Sequence, residues 1–137
     1  MNILVDTQVL LWAQTDSKNL SRVALEILTD DTHLKWVASV SLFEIAIKHK
    51  IGKLPLSGLS PADFFAQLKT DGYRLLSLAT EHIIAYEQIP FFEDHRDYGP
   101  SPRFDRLILA TALHRNWPVM SADRKFGWCK DQVDVIW

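Results

Sequence analysis

A chain of 137 residues, 47% of them hydrophobic, holds enough apolar material for one domain around one substantial core and too little for two. Fifteen basic against seventeen acidic side chains give a formal charge of −2, which excludes the basic excess usual in nucleic-acid-binding domains unless part of the acid is neutralised. The single cysteine, Cys129, excludes an internal disulfide. No apolar run approaches the ~20 residues of a membrane span, and the start lacks a signal peptide's basic segment, so the expectation is a cytoplasmic protein without a membrane anchor.

The first element is organising. Ile3, Leu4 and Val5 are β-prone and apolar and run straight into Asp6 and Thr7, which predicts a buried strand ending in a carboxylate. Val9 to Ala13 then continue as a short helix. Ser21 caps a second helix carrying Val23, Ala24, Ile27 and Leu28. Residues 34–38 read as a second strand that ends at Ser39-Val-Ser41. A helix follows from Leu42 through Lys48 and stops at Gly52, with Lys48, Lys50 and Lys53 at the negative end of its dipole.

Ser60-Pro61-Ala62-Asp63 combines a capping hydroxyl, proline at the first helical position and an early acid, and Gly72 closes the helix it starts. Residues 73–78 predict the third strand. Thr80-Glu81-His82 opens a helix through Ile83, Ile84 and Tyr86. Residues 91–103 form a polar loop with Glu93, Asp94, His95, Arg96, Asp97, Gly99 and two prolines. Phe104-Asp105-Arg106 begins a helix apolar enough to be buried. Residues 118–121 are the fourth strand and deliver Asp123. A helical turn over 124–129 and an edge strand over 133–137 complete the chain. Strands alternating with helices predict an α/β fold with a largely parallel sheet covered on both faces.

Each of four acids has a purely structural explanation. Asp6 can cap the helix after the first strand, Ser41-x-x-Glu44 has the spacing of a capping box, and Glu44 pairs with Lys48 at i,i+4. Asp105 suits a first helical turn, and Asp123 suits a turn after a strand. Those explanations do not account for all four lying where a strand ends or a helix begins, which is the ligand-binding edge of a parallel sheet. Crowded carboxylates resist ionising, and a divalent cation removes that conflict. Oxygen ligands without His or Cys at ligand spacing point to Mg²⁺ or Mn²⁺ and to phosphodiester hydrolysis. Neutralising four acids also leaves fifteen basic against thirteen acidic groups, which admits nucleic acid.

Ile3-Leu-Val-Asp6-Thr7, Ser41-Leu-Phe-Glu44-Ile-Ala-Ile-Lys48 with Gly52-Lys53-Leu54, Phe104-Asp105-Arg106 through Ala112, and Ser121-Ala-Asp123 with Phe126 together resemble the PIN-domain ribonucleases of the VapC toxin type. The resemblance runs in order over essentially the whole chain, 1–137. It implies a PIN-like five-stranded, mainly parallel sheet, an Mg²⁺- or Mn²⁺-dependent endoribonuclease, a VapB-like antitoxin partner and a homodimer. It implies that Asp6, Glu44, Asp105 and Asp123 serve as metal-site and catalytic acids, with Thr7 and Ser121 as supporting hydroxyls.

Arg96, Arg103, Arg106, Arg124 and Lys125 cluster in sequence near the third and fourth acids and are candidate RNA contacts; solvated surface charge is the equal alternative. Family members commonly run His-Arg-Asp-Pro directly into Phe-Asp-Arg. Here Tyr98-Gly-Pro-Ser-Pro-Arg103 intervenes after His95-Arg-Asp97, and the expectation is a stiff ridge at the rim that helps select RNA.

Other α/β enzymes that begin with a strand ending in Asp fit less well. A haloacid-dehalogenase phosphatase wants a second acid where Gln8 stands, and a receiver domain wants paired acids that Asp6 lacks. Two rivals remain: a PIN nuclease of RNA processing without an antitoxin, and a catalytically inactive module that binds RNA or protein.

Overall fold

Ile3, Leu4 and Val5 are all fully buried, which a strand achieves only in the middle of a sheet covered on both faces. The computed structural model describes residues 1–90 and 104–137, and in it Asn2–Val5 is the central strand β1. α1 (Thr7–Thr15) and α2 (Arg22–Thr29) follow, then β2 (Leu34–Ala38), α3 (Ser39–Lys50), α4 (Pro61–Thr70), β3 (Arg74–Leu76), α5 (Thr80–Ala85), α6 (Phe104–Arg115), β4 (Val119–Met120) and β5 (Val135–Ile136).

The five strands lie in the order β3-β2-β1-β4-β5 and every pairing is parallel. From β1 the chain builds outward to β3, then returns to the other side of β1 as β4. The crevice where ligands collect in such sheets therefore opens between the carboxyl ends of β1 and β4. Strand alternation divides the core accordingly. Ile3, Val5, Val37 and Met120 pack beneath α1 to α4, whereas Leu4, Ala38, Leu76 and Val119 pack beneath α5 and α6. Among the described residues no helix is long and apolar enough to cross a membrane.

Local signals act where they were expected. The Ser21 hydroxyl accepts from Ala24 N–H and that of Ser60 from Asp63 N–H, each capping its helix. Gly52, at φ +77°, carries the chain out of α3, with its N–H donating to the His49 carbonyl. The predicted third and fourth strands are longer than the observed ones, which keep only the central residues of each run. The start of α3 differs more. It begins at Ser39, capped by the extended Ala38, so Ser41 lies inside the helix, fully buried, and Ser41-x-x-Glu44 is not a capping box.

Candidate active site

Asp6 ends β1 and caps α1. One carboxylate oxygen accepts from Thr7 N–H at 2.8 Å and the other from the Ser121 hydroxyl at 2.9 Å. Ser121 follows β4 and also accepts from Asp123 N–H at 3.1 Å, so one hydroxyl ties the two strand ends together. The Thr7 hydroxyl turns the other way and donates to Ser41 Oγ at 2.9 Å. Ser121 therefore meets Asp6 through its side chain, while Thr7 meets it through its backbone N–H and its hydroxyl links α1 to α3.

Asp6 is 8% exposed, and its pKa is pushed from 3.8 to about 6. Burial is the main cause. Hydrogen bonds from Ser121 and Thr7 oppose it, and the charges of Glu44 and Asp123 add to it.

These acids share one cavity of about 260 Å³, lined by Asp6, Glu44, Asp105 and Asp123 with Lys48 and the rings of Phe104 and Phe126. Four separate elements thus deliver the four predicted carboxylates to one place. Asp105 accepts from Arg106 N–H at 2.9 Å and Asp123 from Lys125 N–H at 2.9 Å, which orients each in its turn. Among the described residues the carboxylates offer oxygen donors and no His or Cys lines the cavity, a set that fits a hard divalent cation. Among the described residues no three His, Cys, Asp or Glu side chains close into a ready-made ligand cluster. The carboxylates line the cavity without being drawn together at its centre.

The surrounding cations divide. Arg106 is a correction to the sequence reading: it is 1% exposed, its guanidinium lies 5.3 Å over the Tyr86 ring, and Nη1 donates to the Tyr86 hydroxyl at 3.4 Å. It belongs to the core between α5 and α6 and is not placed to meet RNA. Arg124 is exposed and Lys125 half-buried beside Asp123. Arg96, Arg103, His95 and the 98–103 insertion lie outside the described residues. The cation that sequence reasoning passed over is Lys48. It lines the cavity, and its Nζ lies 3.6 Å from Glu44 Oε1 in a pair worth about 0.3–0.5 kcal/mol. Its i,i+4 spacing from Glu44 was the available signal.

The structure is thus an α/β protein whose parallel sheet has four acids at its switch point. The PIN domain family model matches residues 3–127, and the chain belongs to the PIN-domain family, whose members are generally nucleases. No curated protein matches it in sequence. Solved structures share the fold. A chain of VapBC2 from Rickettsia felis, bound to a promoter DNA fragment, superposes with a TM-score of 0.68 at 16% identity, over 99% of this chain and 98% of that one. FitAcB from Neisseria gonorrhoeae gives 0.58 at 20% identity over 98% and 96%. VapBC-5 of the VapBC family of toxin-antitoxin systems, from Mycobacterium tuberculosis, gives 0.54 at 18% identity over 98% and 95%. At these identities the likeness is one of fold.

Proposed function

We propose that the chain, as one domain, is an Mg²⁺- or Mn²⁺-dependent endoribonuclease and the toxic component of a VapBC-type toxin-antitoxin system. The observation that carries the reading is the single cavity lined by Asp6, Glu44, Asp105 and Asp123 between the ends of β1 and β4. Membership of the PIN family supports nuclease chemistry, and likeness to VapBC and FitAcB complexes supports the toxin assignment.

Asp6 is the central acid, since its neighbours hold it from both strand ends while burial disfavours its charge. Asp6, Glu44, Asp105 and Asp123 would hold a divalent cation, which would supply charge neutralisation and an activated water for attack on the phosphodiester. Ser121 and Thr7 N–H fix the Asp6 oxygens, and Glu44 approaches from α3. The same acids form a socket for an Arg or Lys side chain of a VapB-like antitoxin, which would block the site.

Purified protein is expected to cut RNA with Mg²⁺ or Mn²⁺, leaving 5′-phosphate and 3′-hydroxyl ends, and to stop with EDTA. Asp6→Asn and Asp105→Asn should each lower the rate by more than about 100-fold while leaving the circular dichroism spectrum intact. Expression in a bacterial host should arrest growth, and co-expression of the antitoxin should relieve it. Full cleavage by both variants would sink the mechanism, and equal growth arrest by wild type and Asp6→Asn would sink the toxin assignment.

A further inference from the structure

We propose that α3 carries the subsite for the nucleotide beside the scissile phosphate, with Lys48 holding a phosphate oxygen and Phe43 stacking the base. The proposal rests on the ribonuclease reading above.

An RNA strand approaching four carboxylates meets repulsion at its phosphates, so productive binding needs a cation at the cavity wall as well as any metal. Among the described residues Lys48 is the basic side chain in that wall. Its side chain is 47% exposed whereas that of its partner Glu44 is 19% exposed, so the ammonium sits on the solvent side of the pair, where a strand arrives. An exposed i,i+4 pair is weak enough to exchange for a phosphate.

One position before Glu44, Phe43 is 58% exposed, an unusual place for a phenylalanine. Its ring meets Phe104 edge to face at a centroid distance of 5.9 Å, and Phe104 lines the cavity. The exposed ring is thereby held at the rim by a residue of the wall. α3 therefore presents Glu44 and, one turn on and nearer solvent, Lys48 to the cavity, with an aromatic ring at its rim. A phosphate holder beside a stacking ring is the arrangement that binds single strands without reading their sequence. A protein partner is the competing occupant of Phe43, since Ile47 and Ile51 continue an exposed apolar row along the helix.

The test is binding of a short single-stranded RNA, followed by fluorescence anisotropy across a salt series, in an Asp105→Asn background that cannot cut it. Steady-state cleavage by the otherwise wild-type protein runs in parallel. Lys48→Ala should reduce the slope of log affinity against log salt by about 0.7, the value of one phosphate contact to a single strand, and Lys48→Arg should restore it. Phe43→Ala should weaken binding about tenfold with the slope unchanged, and raise KM with kcat little altered. An unchanged slope in Lys48→Ala, or unchanged affinity in Phe43→Ala, overturns the subsite. So does a Phe43→Ala protein that handles RNA normally but escapes its antitoxin, because the apolar row is then a protein dock. If the wild type neither binds nor cuts RNA, the ribonuclease reading itself falls; wild-type cleavage with indifferent variants removes the subsite alone.

Discussion

Asp6 is kept where its charge is unwelcome. Its pKa of about 6 means that the folded chain holds this proton more tightly than the unfolded chain, whose value is near 3.8. Where both forms are protonated, below about pH 4, the group is neutral towards stability. As pH rises the unfolded state ionises first, and above about pH 6 the full difference weighs against folding. Two pKa units correspond to about 3 kcal/mol. Asp6→Asn removes the charge at little change in shape, although Ser121 then loses its acceptor. Metal-free Asp6→Asn should accordingly be more stable than wild type by about 1–2 kcal/mol at pH 8 and indistinguishable from it at pH 4, in urea unfolding followed by circular dichroism. A variant that is less stable at pH 8 would mean that the hydrogen bonds outweigh the burial, and that Asp6 is a structural cap after all. Stability given up at one carboxylate is the pattern expected of a functional residue.

Among the elements, α5 is held by an unusual cap. The His82 ring is buried; Ala79 N–H donates to its Nδ1 at 3.1 Å, and Arg115 Nε points at its Nε2 from 3.4 Å. A neutral imidazole offers one lone pair to these two donors, and a protonated one offers none. Burial, followed by the charges of Arg115 and His114, holds the His82 pKa below 6.5, against a smaller opposite effect of Glu81. The folded state thus resists the proton, so this contribution to stability is complete above pH 6.5 and declines as pH falls below it. Amide protection factors in α5, corrected for the intrinsic exchange rate at each pH, should fall selectively between pH 6.5 and 5, and His82→Gln, which can still accept from Ala79, should flatten that dependence. An unaltered pH profile in His82→Gln would remove the ring from the explanation. The cap itself is a local i,i+3 contact, but the burial and the Arg115 contact that set its pH response come from α6 and were not legible from sequence. The same holds for α3, whose Ser41-x-x-Glu44 spacing satisfied a local rule while the tertiary contact to Thr7 decided the outcome. Arg106 shares a helix face with Leu109 and Ala110, both fully buried, and that spacing alone places it in the core. The five strands, by contrast, and with them the position of Asp6, followed from β-prone runs ending in a carboxylate or turn, signals that need no tertiary knowledge, whereas Glu44 and Asp105 lie on helices and stood out only as a set with the other two acids.

On the scale of the molecule, the four carboxylates are a long-range device. The Ser121–Asp6 hydrogen bond joins residues 115 positions apart, and the cavity wall draws on the β1–α1 junction, α3, α6 and the segment after β4. No unfolded chain holds these groups together, so a cation that binds them binds the folded state alone and stabilises it by mass action. At one hundred times the dissociation constant the gain is about 2.7 kcal/mol. For a chain of this size that raises Tm by about 10 °C. The gain also depends on pH, since Asp6 must lose its proton to act as a ligand and holds it up to about pH 6. Thermal melts with saturating Mg²⁺ or Mn²⁺ against EDTA should therefore separate widely at pH 8 and only slightly at pH 5. Asp105→Asn should narrow the gap at pH 8 without shifting the EDTA curve by more than about 2 °C, because Asp105 is half-exposed and its loss leaves the core intact. Coincident melts at pH 8 would show that the acids hold no cation, and would leave the cavity as an electrostatic socket for a basic partner.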